Sequence, residues 1–377
     1  MESLKINYIM YSTRRTGGTI GLFNFINELV KLGHEVSITT LYYKKWFPFL
    51  KDVKIISKKT PLYEYFLYGY PMLFKKSTMS VHILILKKLM NIVPKVDINV
   101  ATFSPTAYVA SLKSIDGSIP FYHMQHFETM FFSDPTMKKF VADTYFLPIY
   151  KVANSKWLQK KLLLLTGIEY PILNPAIEHD IFYPRNTHQK DDRNINIVAL
   201  GKGGWKNAVG IYNAVNIVRS ELPHKRIILH FFGHRPTQGI KFDNKNNVFH
   251  KDLTGEQLAQ LYSSSDIQIT FSTAESFPRP PLEAMACGSA VITTPYGTED
   301  YAVDGYNALI VEPNNIKMLA EKIRLLIENE DLRKKLIDNG LKTASKFNYP
   351  DQTKILIEEF KKAINQFQNF DIRGKML

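Results

Sequence analysis

The stretch ESFPRPPLEAMACGSAVI, Glu275 to Ile292, sets two glutamates eight positions apart around three prolines, then adds a small-residue helical pattern and a β-branched run. Pro278, Pro280 and Pro281 exclude one helix across both glutamates, because each lacks an N–H and its ring collides with the preceding turn. The chain therefore reads as a strand, IQITFS, then a loop from Glu275 to Arg279, then a helix starting near Pro280 or Pro281, where proline is tolerated. Glu283 is expected in the first turn of that helix, and Gly288 closes it. Loop and helix start then lie at the carboxyl edge of a parallel sheet, where ligands bind and where unpaired N–H groups attract phosphate. Carboxylates are poor phosphate ligands and good acceptors for sugar hydroxyls, so the pattern points to a ligand with hydroxyl groups on either side of a phosphate. The plain alternative is that Glu283 complements the helix dipole and Glu275 is solvated.

Upstream, INIVALGKGGWKN reads as a strand, Gly201 for the turn, and Lys202 and Lys206 around the start of a helix, both within reach of a diphosphate. By itself a lysine pair is most often a solvated surface feature. Short β-branched runs alternate with amphipathic stretches through both halves: INYIMY, EVSITTL, DINVATF, PFYHMQ and KVANS, then INIVALG, RIILHFFG, IQITFS and AVITT. This is the rhythm of an α/β chain with parallel sheets. At 377 residues the chain exceeds what one core supports, so two domains are expected. The polar, aperiodic PRNTHQKDDRN, residues 184–194, is the expected linker between a domain of residues 1–183 and one of 195–349. Thr254 and Gln257 form a capping box, and a helical apolar stripe follows Pro350, from Asp351 to about Phe367.

The single cysteine, Cys287, excludes an intramolecular disulfide, reads as a small buried hydrophobe and fits a reducing cytoplasm. The start MESLKINYIMYSTRR lacks the build of a signal peptide, and no run of about 18 uncharged apolar residues occurs, so no membrane span is expected. Of the net charge of +13, nine units fall between Tyr42 and Lys95, where eleven lysines face only Asp52 and Glu64. The same segment is crowded with rings, among them Trp46, Phe47, Phe49, Tyr63, Phe66 and Tyr70. Lysine with interfacial aromatics suits an anionic lipid surface, so residues 42–95 are expected to hold a cytoplasmic protein peripherally on the inner face of the cell membrane. The bland alternative is a solvated basic face. No nucleic-acid-binding signature accompanies the lysines, so no nucleic-acid partner is expected. No Asp-x-Asp motif and no His/Cys cluster with metal-ligand spacing occurs, so no metal is expected. The N-terminal loop TGGTIG lacks G-x-G-x-x-G, and the second strand ends in Leu41-Tyr42-Tyr43 without an acidic residue, which argues against a dinucleotide-dependent oxidoreductase.

Taken whole, ESFPRPPLEAMACGSAVI closely resembles the donor-site signature of the retaining glycosyltransferases of family 4, which have the GT-B fold: two Rossmann-like domains with parallel sheets facing across a cleft. TGGTIGLFNFINELVKLGHEVSI resembles that family's first glycine loop, helix and second strand, and YKVANSKWLQKKL with ILNPAIEHDIFYP resembles the close of its first domain. GKGGWKN occupies the basic diphosphate position, and GTEDYAVDGYNALIVEP resembles the segment after the donor loop. The resemblance spans nearly the whole chain and is weakest from Tyr42 to Lys95. It implies that Glu275 contacts hydroxyls of the transferred sugar, Glu283 the ribose, and Lys202 with Lys206 the diphosphate, with Ser276 and Phe277 in the donor loop. Gly17 and Gly18 would let backbone amides approach the phosphate or the acceptor. His126 aligns with a histidine near the donor sugar, a hydrogen-bonded core imidazole being the plainer role, and His123 on the same strand is the fallback. Pro278 replaces the usual glycine, so a donor contact through that amide is absent or moves to Phe277 or Arg279. Arg279 replaces an apolar residue and would add positive charge near the phosphates, while Lys202 stands where arginine is common.

The activity implied is transfer from a nucleotide-diphosphate sugar to a hydroxyl of a glycan or lipid-linked acceptor, in cell-surface polysaccharide or glycolipid assembly. Configuration would be retained and no metal or other cofactor used. The resemblance further implies a front-face route in which the leaving phosphate helps deprotonate the acceptor, closure of the domains over the donor, and a last helix, within residues 350–377, that returns to the N-terminal domain. Base contacts would come from backbone around Phe249 to Leu253. The rivals are a GT-B sugar-nucleotide epimerase or phosphorylase, and a non-catalytic protein that binds membranes peripherally.

Overall fold

The computed structural model describes residues 3–49, 53–57, 79–185 and 194–374, with side chains to residue 368. Two compact units result: one ends at Asn174 and resumes at Tyr349, and Pro175–Asn348 form the other. In the first, β1 (Lys5–Met10), α1 (Gly17–Lys31), β2 (Glu35–Thr40), β3 (Lys54–Ile56), α2 (Met79–Met90), β4 (Ile98–Ala101) and α3 (Ser104–Lys113) are followed by β5 (Ile119–Met124), α4 (Pro135–Asp143), β6 (Tyr150–Ala153) and α5 (Lys156–Thr166). The strands pair in parallel in the order β3-β2-β1-β4-β5-β6. Helices cover both faces of such a sheet, which is why its central strands are almost continuously apolar. The buried asparagines of β1 and β4 are paired: Asn7 Nδ2 donates to Asn99 Oδ1 at 2.8 Å, and Thr39 donates to Asn7 Oδ1 at 2.8 Å.

The second unit repeats the plan with β7 (Asn194–Leu200), α6 (Ala208–Glu221), β8 (Arg226–Gly233), β9 (Asn247–Lys251), α7 (Gly255–Ser263), β10 (Ile267–Ile269), α8 (Arg279–Ala286), β11 (Ala290–Thr293), β12 (Leu309–Ile310), α9 (Ile316–Glu328) and α10 (Glu330–Ala344). Its parallel order is β12-β11-β10-β7-β8-β9. Counted within each unit, both sheets run 3-2-1-4-5-6, and the chain reverses direction across the sheet between β1 and β4 and between β7 and β10. Loops leaving the carboxyl ends of such a pair diverge and leave a crevice for a ligand. The expected capping box is formed, Thr254 accepting from Gln257 N and Gln257 accepting from Thr254 N. The strands not anticipated are β3, β9 and β12. All three are short and at or next to a sheet edge, where half-exposed residues break the apolar run that marks a strand.

The boundary between units falls at Asn174, nine residues before the expected end of the first domain at 183. Residues 175–183 are already held by the second unit: Ile177 N donates to Phe347 O at 3.2 Å, and Ile177 and Phe182 are buried in one core with Leu282 and Met285. A polar stretch marks where sequence is unconstrained, and contacts can change over before it. Residues 186–193 of that stretch lie outside the described residues. The last helix, α11 (Tyr349–Gly374), begins before the expected Asp351 and packs within the first unit, Phe360 against Phe121 at 4.8 Å and Glu359 accepting from the Tyr150 hydroxyl at 2.7 Å.

Much of the basic aromatic segment, 50–52 and 58–78, also lies outside the described residues. In the described part, Trp46, Phe47 and Phe49 turn inward onto Phe23 of α1, with ring centroids at 5.4, 5.2 and 4.7 Å. The Trp46 indole N–H donates to Thr13 O. These three rings are therefore packing residues, contrary to the expectation that they line a lipid surface. Among the described residues no helix is long and apolar enough to cross a membrane.

Candidate functional site

β7 and β10 are neighbours, Ile197 opposite Ile267, so the lysine loop and the two-glutamate loop leave adjacent strands. Gly201 ends β7 for want of space rather than for a turn. A Cβ there would lie 3.0 Å from Phe231 Cβ and 3.2 Å from the Phe249 ring. Lys202 is exposed, with Nζ 5.0 Å above the Trp205 ring. Trp205 O accepts from Thr273 N at 2.8 Å and ties the two loops together. Asn207, in the left-handed region at φ 54°, caps α6 by accepting from Gly210 N at 3.1 Å. That turn aims Lys206 back at the second loop, where its ammonium pairs with the largely buried Glu275 carboxylate. Lys206, Glu275, Thr270, Ser272, Pro278 and Pro280 line a small pocket at the carboxyl ends of these strands.

The Glu275 loop is fixed from beneath. Ser276 and Phe277 are buried, and the Phe277 ring packs on Tyr301 at 5.3 Å and Phe347 at 6.0 Å. The Tyr301 hydroxyl donates to Pro278 O at 2.7 Å. Gly297, at φ +72°, presses on the loop so closely that a Cβ would stand 2.5 Å from Ser276 O and 2.8 Å from Glu275 O. Ser276 and Phe277 thus shape the loop through burial, while Glu275 presents its carboxylate to the pocket.

α8 begins at Arg279, with Pro278 as its N-cap, so Glu283 is its fifth residue and not in its first turn as expected. Prolines at 278, 280 and 281 leave Arg279 the only N–H donor among the N-cap and the first three helical positions, which reduces this helix start as a phosphate ligand. Arg279 departs from expectation as well. It is buried at 7% exposure, Nε donating to Glu283 Oε1 at 3.0 Å and the guanidinium pairing with Glu178. Four positions apart on a helix, Arg279 and Glu283 face each other, and a buried guanidinium persists only where carboxylates balance it. The charge meant for phosphates is spent internally. Burial pushes the Glu283 carboxyl above its ordinary range, and the Arg279 charge opposes that rise. The Tyr262 hydroxyl donates toward Glu283 Oε2 at 3.5 Å.

In the first unit, Gly17 and Gly18 are the exposed first residues of α1, capped by the Thr16 side chain, which accepts from Thr19 N at 3.2 Å. A Cβ on Gly17 would meet nothing within 4 Å and one on Gly18 only Gln125 Oε1 at 3.7 Å, so the backbone there is open. His126 follows β5 and is half-buried, its ring 4.7 Å from Phe131 and 5.6 Å from Trp157, with Nδ1 3.3 Å from Phe127 O. His123 is a core residue, which removes it as the fallback. It is buried against the edge of Phe25, neither ring nitrogen has a hydrogen-bond partner among the described residues, and burial pushes it down to about 3.

The structure thus joins Lys206 to Glu275 with Lys202 alongside, and Arg279 to Glu283. The sequence reading missed Glu178, Gly297, Tyr262 and Tyr301. Gly297, in PYGTED, carried a turn signature that could have marked it. Glu178 had no local signal, since its partner lies 101 positions away.

Residues 185–343 match the family model described as "Glycosyl transferases group 1". An uncharacterized glycosyltransferase of Methanocaldococcus jannaschii, MJ1178, is 38% identical over 110 residues, which are 28% of this chain and 31% of the relative. The N,N'-diacetylbacillosaminyl-diphospho-undecaprenol alpha-1,3-N-acetylgalactosaminyltransferase of Campylobacter jejuni is 35% identical over 110 residues, 29% of each protein. The chain therefore spans about a third of the length of these two relatives. Among solved structures, Anabaena Alr3699/HepE in complex with UDP and glucose superposes with a TM-score of 0.73 at 15% identity, over 95% of this chain and 100% of that one. That likeness shows the fold. The match to the group 1 glycosyl transferases is thus confined to residues 185–343, and the fold of the chain is GT-B.

Proposed function

We propose that this protein transfers a glycosyl group from a nucleotide-diphosphate sugar to a hydroxyl of a glycan or lipid-linked acceptor, with retention of configuration and without a divalent metal. The observation that carries the reading is the Lys206–Glu275 pair, with Lys202 beside it, at the carboxyl ends of adjacent strands β7 and β10. As the glycosidic C–O bond breaks, negative charge grows on the departing diphosphate. Cations already fixed in place stabilise that charge without reorganising. Glu275, anchored by its buried loop, accepts hydrogen bonds from the sugar hydroxyls, and Glu283, held by Arg279, accepts from the ribose. The leaving phosphate takes the acceptor proton on the same face, so no protein nucleophile is required. In the first unit, we assign the open backbone at Gly17 and Gly18 and the half-buried His126 imidazole to the acceptor and the transferred sugar.

Two relatives support the substrate classes. HepE is named in complex with UDP and glucose, and the Campylobacter relative is named for a diphospho-undecaprenol substrate, a lipid-linked acceptor. A role in cell-surface polysaccharide or glycolipid assembly, on a cytoplasmic membrane face contacted through the lysines of 42–95, follows from that acceptor class. Transfer and donor hydrolysis, assayed separately with UDP-, GDP- and dTDP-sugars with and without EDTA, test the reading. It predicts transfer to a polyprenyl-diphospho-glycan that EDTA does not abolish, with an α-linked donor giving an α-linked product. Epimerisation of the free donor, or phosphorolysis in place of transfer, would replace it by one of the rival GT-B activities.

A further inference from the structure

Helix α5, KWLQKKLLLLT, contains no acidic residue, and its apolar content exceeds what the core beneath it uses. Trp157, Leu158 and Leu162 are buried, whereas Leu164 is 84% and Leu163 41% exposed. Lys156, Lys160, Leu163 and Leu164 recur at i, i+4, i+7 and i+8 and so share one outward face. Fraying does not account for the exposure. Ser155 caps the start by accepting from Leu158 N at 3.1 Å, and Gly167, left-handed at φ 71°, closes the end. Two more exposed apolar residues flank the helix: Phe146, 60% exposed on the turn that packs beside α5, and Ile168, 54% exposed just past Gly167 and followed by the exposed Glu169.

We infer that this face of α5 docks on an anionic lipid bilayer. The leucines enter the headgroup boundary, and Lys156 and Lys160 meet phosphates at the level where lysine stems lie along apolar surface. Charge decides between this occupant and a second copy of the chain. A two-fold contact through the same face would bring four lysines into one interface with no acid on the helix to offset them. The inference extends the peripheral-membrane reading, but it stands on a different surface from residues 42–95.

The test is co-sedimentation of the full chain with vesicles of phosphatidylcholine, alone or mixed equally with phosphatidylglycerol, at low and high salt. Binding to the anionic vesicles, released by salt, is expected. Lys156→Glu with Lys160→Glu weakens it at least about 25-fold, since each lysine near such a surface is worth roughly fivefold. Leu163→Ser with Leu164→Ser weakens it by roughly tenfold or more through lost apolar burial. All four side chains are solvent-facing, so unchanged melting temperatures would show that the variants fold. Absence of wild-type binding to anionic vesicles would overturn the inference, as would full binding by both doublets. Loss confined to Lys44→Glu with Lys45→Glu would also overturn it and leave the 42–95 surface standing. A wild-type dimer in sedimentation velocity that Leu163→Ser with Leu164→Ser dissociates would assign the face to a second copy instead. Sugar transfer to a soluble acceptor is not read by this assay, so its failure leaves the transferase reading intact.

Discussion

Arg279 shows how far one residue can depart from its sequence context. In the sequence it reads as a third cation beside Lys202 and Lys206, but its side chain is 8% exposed and lies between Glu178 and Glu283. The sequence could not reveal this, because the decisive partner is remote in the chain and burial is a tertiary property. Removing the guanidinium would strand two carboxylates in a low-dielectric site. Arg279→Leu should therefore cost about 3–5 kcal/mol of stability at neutral pH. The loss should shrink towards pH 5, because the Glu283 carboxyl, pushed up by burial and no longer opposed by the guanidinium, can then protonate, and equilibrium denaturation at the two pH values reads both effects. The prolines made legible that Glu275 lies in a loop and Glu283 in the helix after it, whereas the Lys206–Glu275 pair, 69 positions apart, had no local signal. Gly297 yields a sharper prediction. Its positive φ and its approach to the Ser276 and Glu275 carbonyls both exclude a Cβ. Gly297→Ala should cost about 1–3 kcal/mol, from backbone strain of the usual size, and shift the Glu275 loop. A denaturation midpoint equal to wild type would contradict that packing.

At the scale of elements, a buried carboxylate sets a pH dependence in the first unit. Glu128 is 1% exposed and accepts from Ser104 N at the start of α3, and burial pushes its carboxyl from 4.5 up to about 7. Between those values the folded protein keeps a proton that the unfolded chain has released, so this group's contribution to stability falls as pH rises from about 4.5 to 7. Relative to Glu128→Gln, the wild type should lose stability across that window, as thermal unfolding at pH 5, 6 and 7.5 would show. A constant difference would contradict a buried, protonated Glu128. The major strands were legible because a parallel sheet covered on both faces imposes β-branched runs on its central members. The edge strands were not, since their exposed sides tolerate polar residues. The start of α8 was misplaced by only a residue or two, with a chemical consequence: prolines at the N-cap, second and third helical positions remove the amides a phosphate would use, leaving lysines 202 and 206 as the cations of the site.

For the whole molecule, two units with one strand order place their sheet crevices at equivalent switch points, and the alternating pattern made that α/β architecture legible before any contact was known. The change of unit at Asn174 was not legible, because it depends on what residues 175–183 touch and not on their composition. We propose that the pocket between the β7 and β10 loops binds the diphosphate of a sugar nucleotide through Lys206 and Lys202. Calorimetric titration with UDP, GDP and dTDP, on wild type and on Lys206→Ala, tests it most directly. One nucleotide should bind the wild type, and Lys206→Ala should weaken it by about 10- to 100-fold, as expected for loss of a charged hydrogen bond. Equal affinity in the two proteins, or no binding of any nucleoside diphosphate to the wild type, would rule out diphosphate binding through Lys206.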